Sequence, residues 1–301
     1  MNTRTAIITG ATSGLGLECA RALLGSDPSW HVVLPVRDVD RGAAAVEELG
    51  ESERCTVMPM DLAALTSVRA FTDDVRGASL PPLHAIVCNA GLQVVSGTEW
   101  TEDGVEMTFG VNHLGHFALV QGLLDGLTRP ARIVVVSSGT HDPAKLTGMP
   151  DPRYSSAEDL AHPDKSADAD GRRRYTTSKL CNVLYTYELA RRLGCGLGGV
   201  TVNAFDPGLM PGSGLARDYS PLGRLAWRYL FPALRVLPNV NSTRTSGRHL
   251  AALVNDPRFD GVSGQYFEGK RPIKSSVESY DRDKALDLWE TSETLLNHAC
   301  K

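Results

Sequence analysis

The strongest constraint on the fold is a rhythm. Short runs rich in Val, Ile and Leu recur along the 301 residues between longer segments of helical period, the pattern of successive strand-helix-strand units and of a parallel sheet. Strands are expected at residues 5–9, 31–36, 55–60, 84–89, 132–137, 200–205 and 264–267. Helices are expected at 15–24, 38–49, 65–75, 104–127, 176–193, 243–254 and 282–296. Strands buried on both faces read as continuously apolar, as Ile133, Val134, Val135 and Val136 do. The expected fold is a doubly wound α/β domain over residues 1–301, a mostly parallel seven-stranded sheet with helices on both faces. No repeat or composition break marks a second domain.

Two stretches fail the rhythm. Residues 139–174, rich in Pro, Asp, Ser and Gly, end in Arg172, Arg173 and Arg174 and form a long insertion. In residues 209–241, Gly and Pro punctuate an apolar piece, 222–237, that carries Arg224, Arg228 and Arg235. Such folds bind ligands beyond the carboxyl ends of their strands, and long loops there are usually functional, so 209–241 is expected to be a substrate lid. A surface helical hairpin packed on the core is an equal alternative, and peripheral membrane contact by 222–237 is a third.

The first strand runs straight into TGATSGLG at 9–16, which opens a helix. The spacing of Gly10, Gly14 and Gly16 suits a tight strand-to-helix turn whose backbone N–H groups approach a pyrophosphate at the positive end of a helix dipole. Thr9, Thr12, Ser13 and Leu15 complete that turn. At the end of the second strand, where a carboxylate would bind a ribose 2′-hydroxyl, stand Val36 and Arg37. An arginine fork there suits a 2′-phosphate, so NADP(H) is the expected cofactor; a solvated Arg37 paired with Asp38 is the alternative. Asp61 and Leu62 follow the third strand, where the carboxylate can accept from an adenine amino group, cap the next helix, or do both. Asn89, Ala90 and Gly91 follow the fourth strand and offer small residues beside the cofactor.

The chemistry is expected at the other end. The fifth strand ends in Ser137 and Ser138, and YTTSK downstream puts Tyr175 and Lys179 four residues apart on one helical face. An ammonium about 4 Å from a phenol contributes roughly 4 kcal/mol at an effective dielectric of 20, enough to bring a tyrosine toward use as a general acid or base. Ser138 would hold the substrate oxygen. Asn112, within VNHLGHF, would break its helix locally and support a water relay to Lys179.

Composition narrows the partners. A formal charge of −4 gives no long-range attraction to nucleic acid or anionic lipid. No segment reaches membrane-spanning length, and Thr9 and Gly10 interrupt the first apolar run too soon for a signal peptide. The six cysteines are scattered without a C-x-x-C pair, which points to reduced thiols, a cytoplasmic location and no structural metal.

The set TGATSGLG, CNAG, VNHLGHF, VVVSS, YTTSK and DPG spans nearly the whole chain and resembles the short-chain dehydrogenase/reductase superfamily, which has a Rossmann-type fold. VNHLGHFAL, YTTSKLCN, PGLMPGSGLARDYSPLGRLAWRYLFP and ALDLWETSETLL are closest to its retinol dehydrogenase and light-dependent protochlorophyllide reductase groups. The resemblance implies that Asn112, Ser138, Tyr175 and Lys179 form a catalytic tetrad and that Pro207 and Gly208 abut the nicotinamide. The chain departs from the pigment reductases at Leu209, where they carry a cysteine after the Pro-Gly pair, and at Cys88, Asn89, Ala90 and Gly91, where they read Asn-Asn-Ala-Ala. Cys181 of their motif is kept and is expected in the core. Members of the superfamily usually dimerise through the tyrosine helix and the one before it, and an insertion such as 139–174 covers that surface in monomeric relatives, so a monomer or weak homodimer is expected.

The activity expected from these readings is hydride transfer between NADP(H) and a carbonyl or secondary alcohol of a bulky apolar small molecule. Reduction of a carbon–carbon double bond in a polycyclic substrate is a second reading. A cofactor-bound sensor without turnover is a third.

Overall fold

The computed structural model describes residues 3–164, 170–194, 198–210 and 241–298. Of the expected lid at 209–241, residues 211–240 lie outside the described residues, and so does the whole of 222–237.

Strands β1 (Arg4–Ile8), β2 (Trp30–Val36), β3 (Cys55–Pro59), β4 (Leu83–Cys88), β5 (Leu127–Val136), β6 (Val200–Asp206), β7 (Tyr266–Glu268) and β8 (Arg271–Ile273) form one sheet in the order β3-β2-β1-β4-β5-β6-β7-β8. All neighbouring pairs through β7 are parallel. The strand alternation sorts side chains onto two faces. Ile7, Ile133 and Val135 enter one apolar cluster, whereas Ala6, Ile8, Val134 and Val136 enter the other. Both faces are therefore covered, which is why these runs carry almost no polar residue.

The first face is covered by helices α3 (Leu65–Gly77), α4 (Gly115–Leu123), α6 (Gly171–Gly194) and α8 (Arg282–His298). The short helix α5 (Ala157–Ala161), inside the insertion, joins them. The second face carries α1 (Gly14–Ser26), α2 (Val39–Leu49) and α7 (Thr243–Asn255). Helix α8 closes the groove between α4 and α6. Its Trp289 meets Phe117 edge-on at 5.0 Å and stacks on Tyr185, and its Ser292 bonds His113 at 3.0 Å. Asp287 accepts from the Tyr154 hydroxyl at 2.7 Å and the Ala157 N–H at 2.8 Å, which ties the insertion to the same groove.

Two expectations change. The sheet has eight strands rather than seven, because Gly269, at φ +61°, turns the chain back after β7. The resulting β8 is antiparallel and has Pro272 opposite Phe267, which an edge strand tolerates; three residues are too few to show a period. The helix expected over 104–127 is a helical run from Met107 to Leu123 that ends in a 3-10 turn, Leu124–Gly126, and Leu127 already belongs to β5. Within that run, Gly110–Leu114 is a π turn centred on Asn112, which bears out the expected local break in the helix.

Candidate active site

Strand β1 has β2 on one side and β4 on the other, so successive connections diverge there and leave a crevice at the carboxyl ends of the strands. A cleft of about 780 Å³ occupies it. Its walls hold Thr9, Gly10, Thr12, Ser13, Gly14, Leu15, Arg37, Asp61, Leu62, Asn89, Ala90, Gly91, Ser138, Tyr175, Lys179, Pro207 and Gly208. Of the residues expected at the site, only Gly16 and Asn112 stand behind the walls.

The reason Gly16 must be glycine is visible. A Cβ there would come within 2.5 Å of the Gly10 carbonyl oxygen and 2.6 Å of the Asn89 amide nitrogen. Thr9 is the hinge of the same corner. Its hydroxyl oxygen accepts from the N–H groups of Asn89 at 2.8 Å and Ala90 at 2.9 Å and lies 2.8 Å from His116 Nε2. Burial holds His116 down to about 4, so the ring is neutral at pH 7 and its Nε2 can accept the Thr9 proton while Nδ1–H faces the Asn112 carbonyl at 3.3 Å. Ser13 takes the N-cap position of α1 without a side-chain hydrogen bond, and no acidic residue stands in the first turn. The N–H groups at this helix start are thus left for an anion.

At the rim, Val36 is 5% exposed and apolar where a carboxylate would discriminate for a 2′-hydroxyl. Asp38 does not pair with Arg37. Its side chain accepts from the Arg41 N–H at 3.1 Å and caps α2, and among the described residues Arg37 makes no ion pair. Arg41, which sequence reasoning missed, also lines the cleft; its place in the first turn after Arg37 was the available signal. Asp61 does not cap α3. The cap position is Ala64, the Asp103 carboxylate accepts from the Leu65 N–H at 2.9 Å, and Asp61 holds the Ala63 N–H at 2.9 Å.

At the chemical end, the two serines after β5 divide their work. Ser137 is buried and donates to the Lys179 carbonyl at 2.7 Å, while half-buried Ser138 accepts from the Thr140 N–H at 3.3 Å at the cleft wall. Lys179 Nζ lies 5.4 Å from the centre of the Tyr175 ring and 3.3 Å from the Val136 carbonyl oxygen. Burial brings the Lys179 ammonium down to about 8, and Asp206 opposes that fall. Asn112 clamps the loop after β4: its side chain accepts from the Leu92 N–H at 2.8 Å and donates to the Leu92 carbonyl at 2.9 Å and to Ser178 at 3.0 Å. The side-chain amide is fully engaged, and the Asn112 main-chain carbonyl faces the His116 ring. Gly91 makes room for this packing, since a Cβ there would stand 3.2 Å from Asn112 Oδ1 and 3.5 Å from Lys179 Nζ.

A polar network unseen in the sequence supports the far wall. Asp206, 2% exposed, accepts from the Gly208 N–H at 2.9 Å and the Tyr266 hydroxyl at 3.0 Å. Lys145 bridges it to Glu268, at 3.6 and 2.9 Å. His141 donates from Nδ1 to the Ser138 carbonyl at 2.7 Å and accepts the Ser276 N–H at 3.1 Å; burial pushes it below the ordinary imidazole range. Cys181 is wholly buried, where burial pushes its thiol far up, so it is a core residue, as expected. The ends of the expected lid meet, with the Asn241 N–H donating to the Leu209 carbonyl at 2.9 Å. Among the described residues no helix is long and apolar enough to cross a membrane.

A cleft at the switch point of a parallel sheet, with a glycine turn at one end and a Tyr-x-x-x-Lys helix at the other, defines a class. The model of the short chain dehydrogenase family matches residues 4–155, and the chain belongs to that family of oxidoreductases. Protochlorophyllide reductase of Avena sativa is 36% identical over 97% of this chain and 99% of its own. The WW domain-containing oxidoreductase of Gallus gallus is 38% identical over 96% of this chain and 67% of its own. Among solved structures, an uncharacterized protein of Mycobacterium Paratuberculosis is 31% identical and superposes with a TM-score of 0.72, over 98% of this chain and 93% of the other.

Proposed function

We propose that the protein is an NADP(H)-dependent oxidoreductase that interconverts a carbonyl and a secondary alcohol on a bulky apolar small molecule. The observation that carries this reading is the continuity of one cleft from the Gly10 turn and Arg37 to Ser138, Tyr175 and Lys179. The chain's own residues fit the cofactor: N–H groups at a helix start without a side-chain cap for the pyrophosphate, and Arg37, without an ion pair among the described residues, together with Arg41 for a 2′-phosphate. Bound there, NADP(H) supplies or takes the hydride.

In the reductive direction the Ser138 hydroxyl holds the substrate oxygen and Tyr175 gives it the phenolic proton. The Lys179 ammonium stabilises the phenolate left behind, because opposite charges attract strongly in a site with little water. At pH 7 the ammonium form predominates, since its pKa is about 8. Asn112, behind the cleft wall beside Gly91 and Lys179, would support a water relay to Lys179. Pro207 and Gly208 line the cleft where they would hold the nicotinamide, with Gly208 at φ +75° and its N–H fixed by Asp206. Leu92, Val111 and Met210 give the cleft apolar surface, which supports an apolar substrate. Four unpaired cysteines among the described residues suit a cytoplasmic location.

Reduction of a carbon–carbon double bond is the second reading, favoured by the identity to the Avena sativa enzyme over nearly all of both chains. Leu209, 40% exposed at the position where that group carries a cysteine, weighs against it. Tyr175→Phe tests the proposal: turnover should fall at least about a thousandfold while NADPH affinity stays within about threefold, and retained turnover overturns the assignment of the proton donor.

A further inference from the structure

Gln93 is 7% exposed, lines the cleft, and buries its amide nitrogen without a hydrogen-bond partner among the described residues. Buried polar groups are seldom left unsatisfied, and an unmade bond at such a site is expensive. Ser138 and Tyr175 are absorbed by the proposed chemistry; this amide is not.

Its position decides what it faces. The chain passes Gly91 beside Lys179, and Asn112 then holds Leu92 through both main-chain groups. Next, Val94 packs on the start of α6 so closely that a Cβ on Gly171 would come within 1.6 Å of the Val94 carbonyl oxygen. Gly171 lies one helical turn before Tyr175. Gln93 therefore lies between the Lys179 neighbourhood and the first turn of the tyrosine helix, at the chemical end of the cleft. Leu92 and Val111 also line the cleft, so the unpartnered amide adds one polar group to an otherwise partly apolar lining. Apolar pockets fix a ligand's orientation with a few such groups.

We infer that Gln93 is a substrate-recognition residue: its amide nitrogen donates a hydrogen bond to a second acceptor oxygen on the substrate, remote from the carbonyl that reacts. The substrate class is thereby narrowed to apolar ring compounds with two oxygen functions, such as diketones or keto-lactones. This inference rests on the proposed carbonyl reduction, and the experiment separates the two.

Wild type and Gln93→Leu are compared with NADPH on trans-1-decalone and on trans-decalin diones that carry the second carbonyl at successive ring positions. A site built to bond a polar group discriminates against an analogue lacking it. The best dione should exceed the monoketone at least about tenfold in kcat/KM. Gln93→Leu should remove that advantage through KM while leaving the monoketone within about twofold. The Gln93 side-chain amide resonance, identified by its loss in Gln93→Leu, reads the same contact without turnover, and it should shift with that dione and not with trans-1-decalone. Equal losses on all ketones, or an amide resonance that no dione moves, overturns the inference. A shift without turnover of any ketone overturns the proposed reaction and leaves the recognition site standing.

Discussion

Lys179 is 4% exposed, and its ammonium is held near 8 against an ordinary 10.5 because burial penalises the charge. The direction of the shift fixes two pH effects. A base with a lowered folded pKa loses its proton as pH rises through about 8, so turnover that depends on the ammonium falls there. The unfolded lysine stays protonated up to 10.5, so the unfolded chain binds more protons between the two values, and stability rises with pH across that window. Asp206 works against the burial. Asp206→Asn should therefore move the alkaline fall in kcat to lower pH, measured from a pH–rate profile; a profile that stays in place contradicts the coupling. The buried network around Asp206 had no reading in the sequence because its partners, Tyr266 and Lys145, lie far along the chain; Gln93 had none because no local pattern marks it. The glycines of 9–16, Tyr175 and Lys179 were legible because turn geometry and helical spacing are local.

The elements show the same division. Parallel strands of β-branched residues separated by amphipathic helices were legible, since each strand needs only a buried run and each crossover only a period. The hairpin into β8 is too short to carry a pattern, and the π turn at Gly110–Leu114 was announced by one polar residue, Asn112. The start of α6 depends on Gly171 for a reason no period shows: the loop after β4 crosses it in contact. Gly171→Ala should cost about 3 kcal/mol through overpacking and displace Gln93 and Tyr175 relative to each other. Denaturant unfolding together with KM checks this, and a variant of wild-type stability contradicts the close approach.

Across the whole molecule, the groove between α4 and α6 is filled by α8, with Trp289 lying between Phe117 and Arg192, and the insertion is fastened to it through Asp287. This filled groove on α4 and α6 supports the proposal of a monomer or weak homodimer. Light scattering on the purified protein should give the mass of a monomer or a weakly concentration-dependent dimer, and a stable tetramer contradicts this. What the cleft transfers is open to direct measurement. Incubation of the enzyme with trans-1-decalone, [4,4-²H₂]NADPH and an equal amount of unlabelled NADH, followed by mass and NMR analysis of the product, tests it most directly. The account predicts an alcohol with one deuterium on the former carbonyl carbon. An unlabelled alcohol, or no alcohol at all, contradicts it.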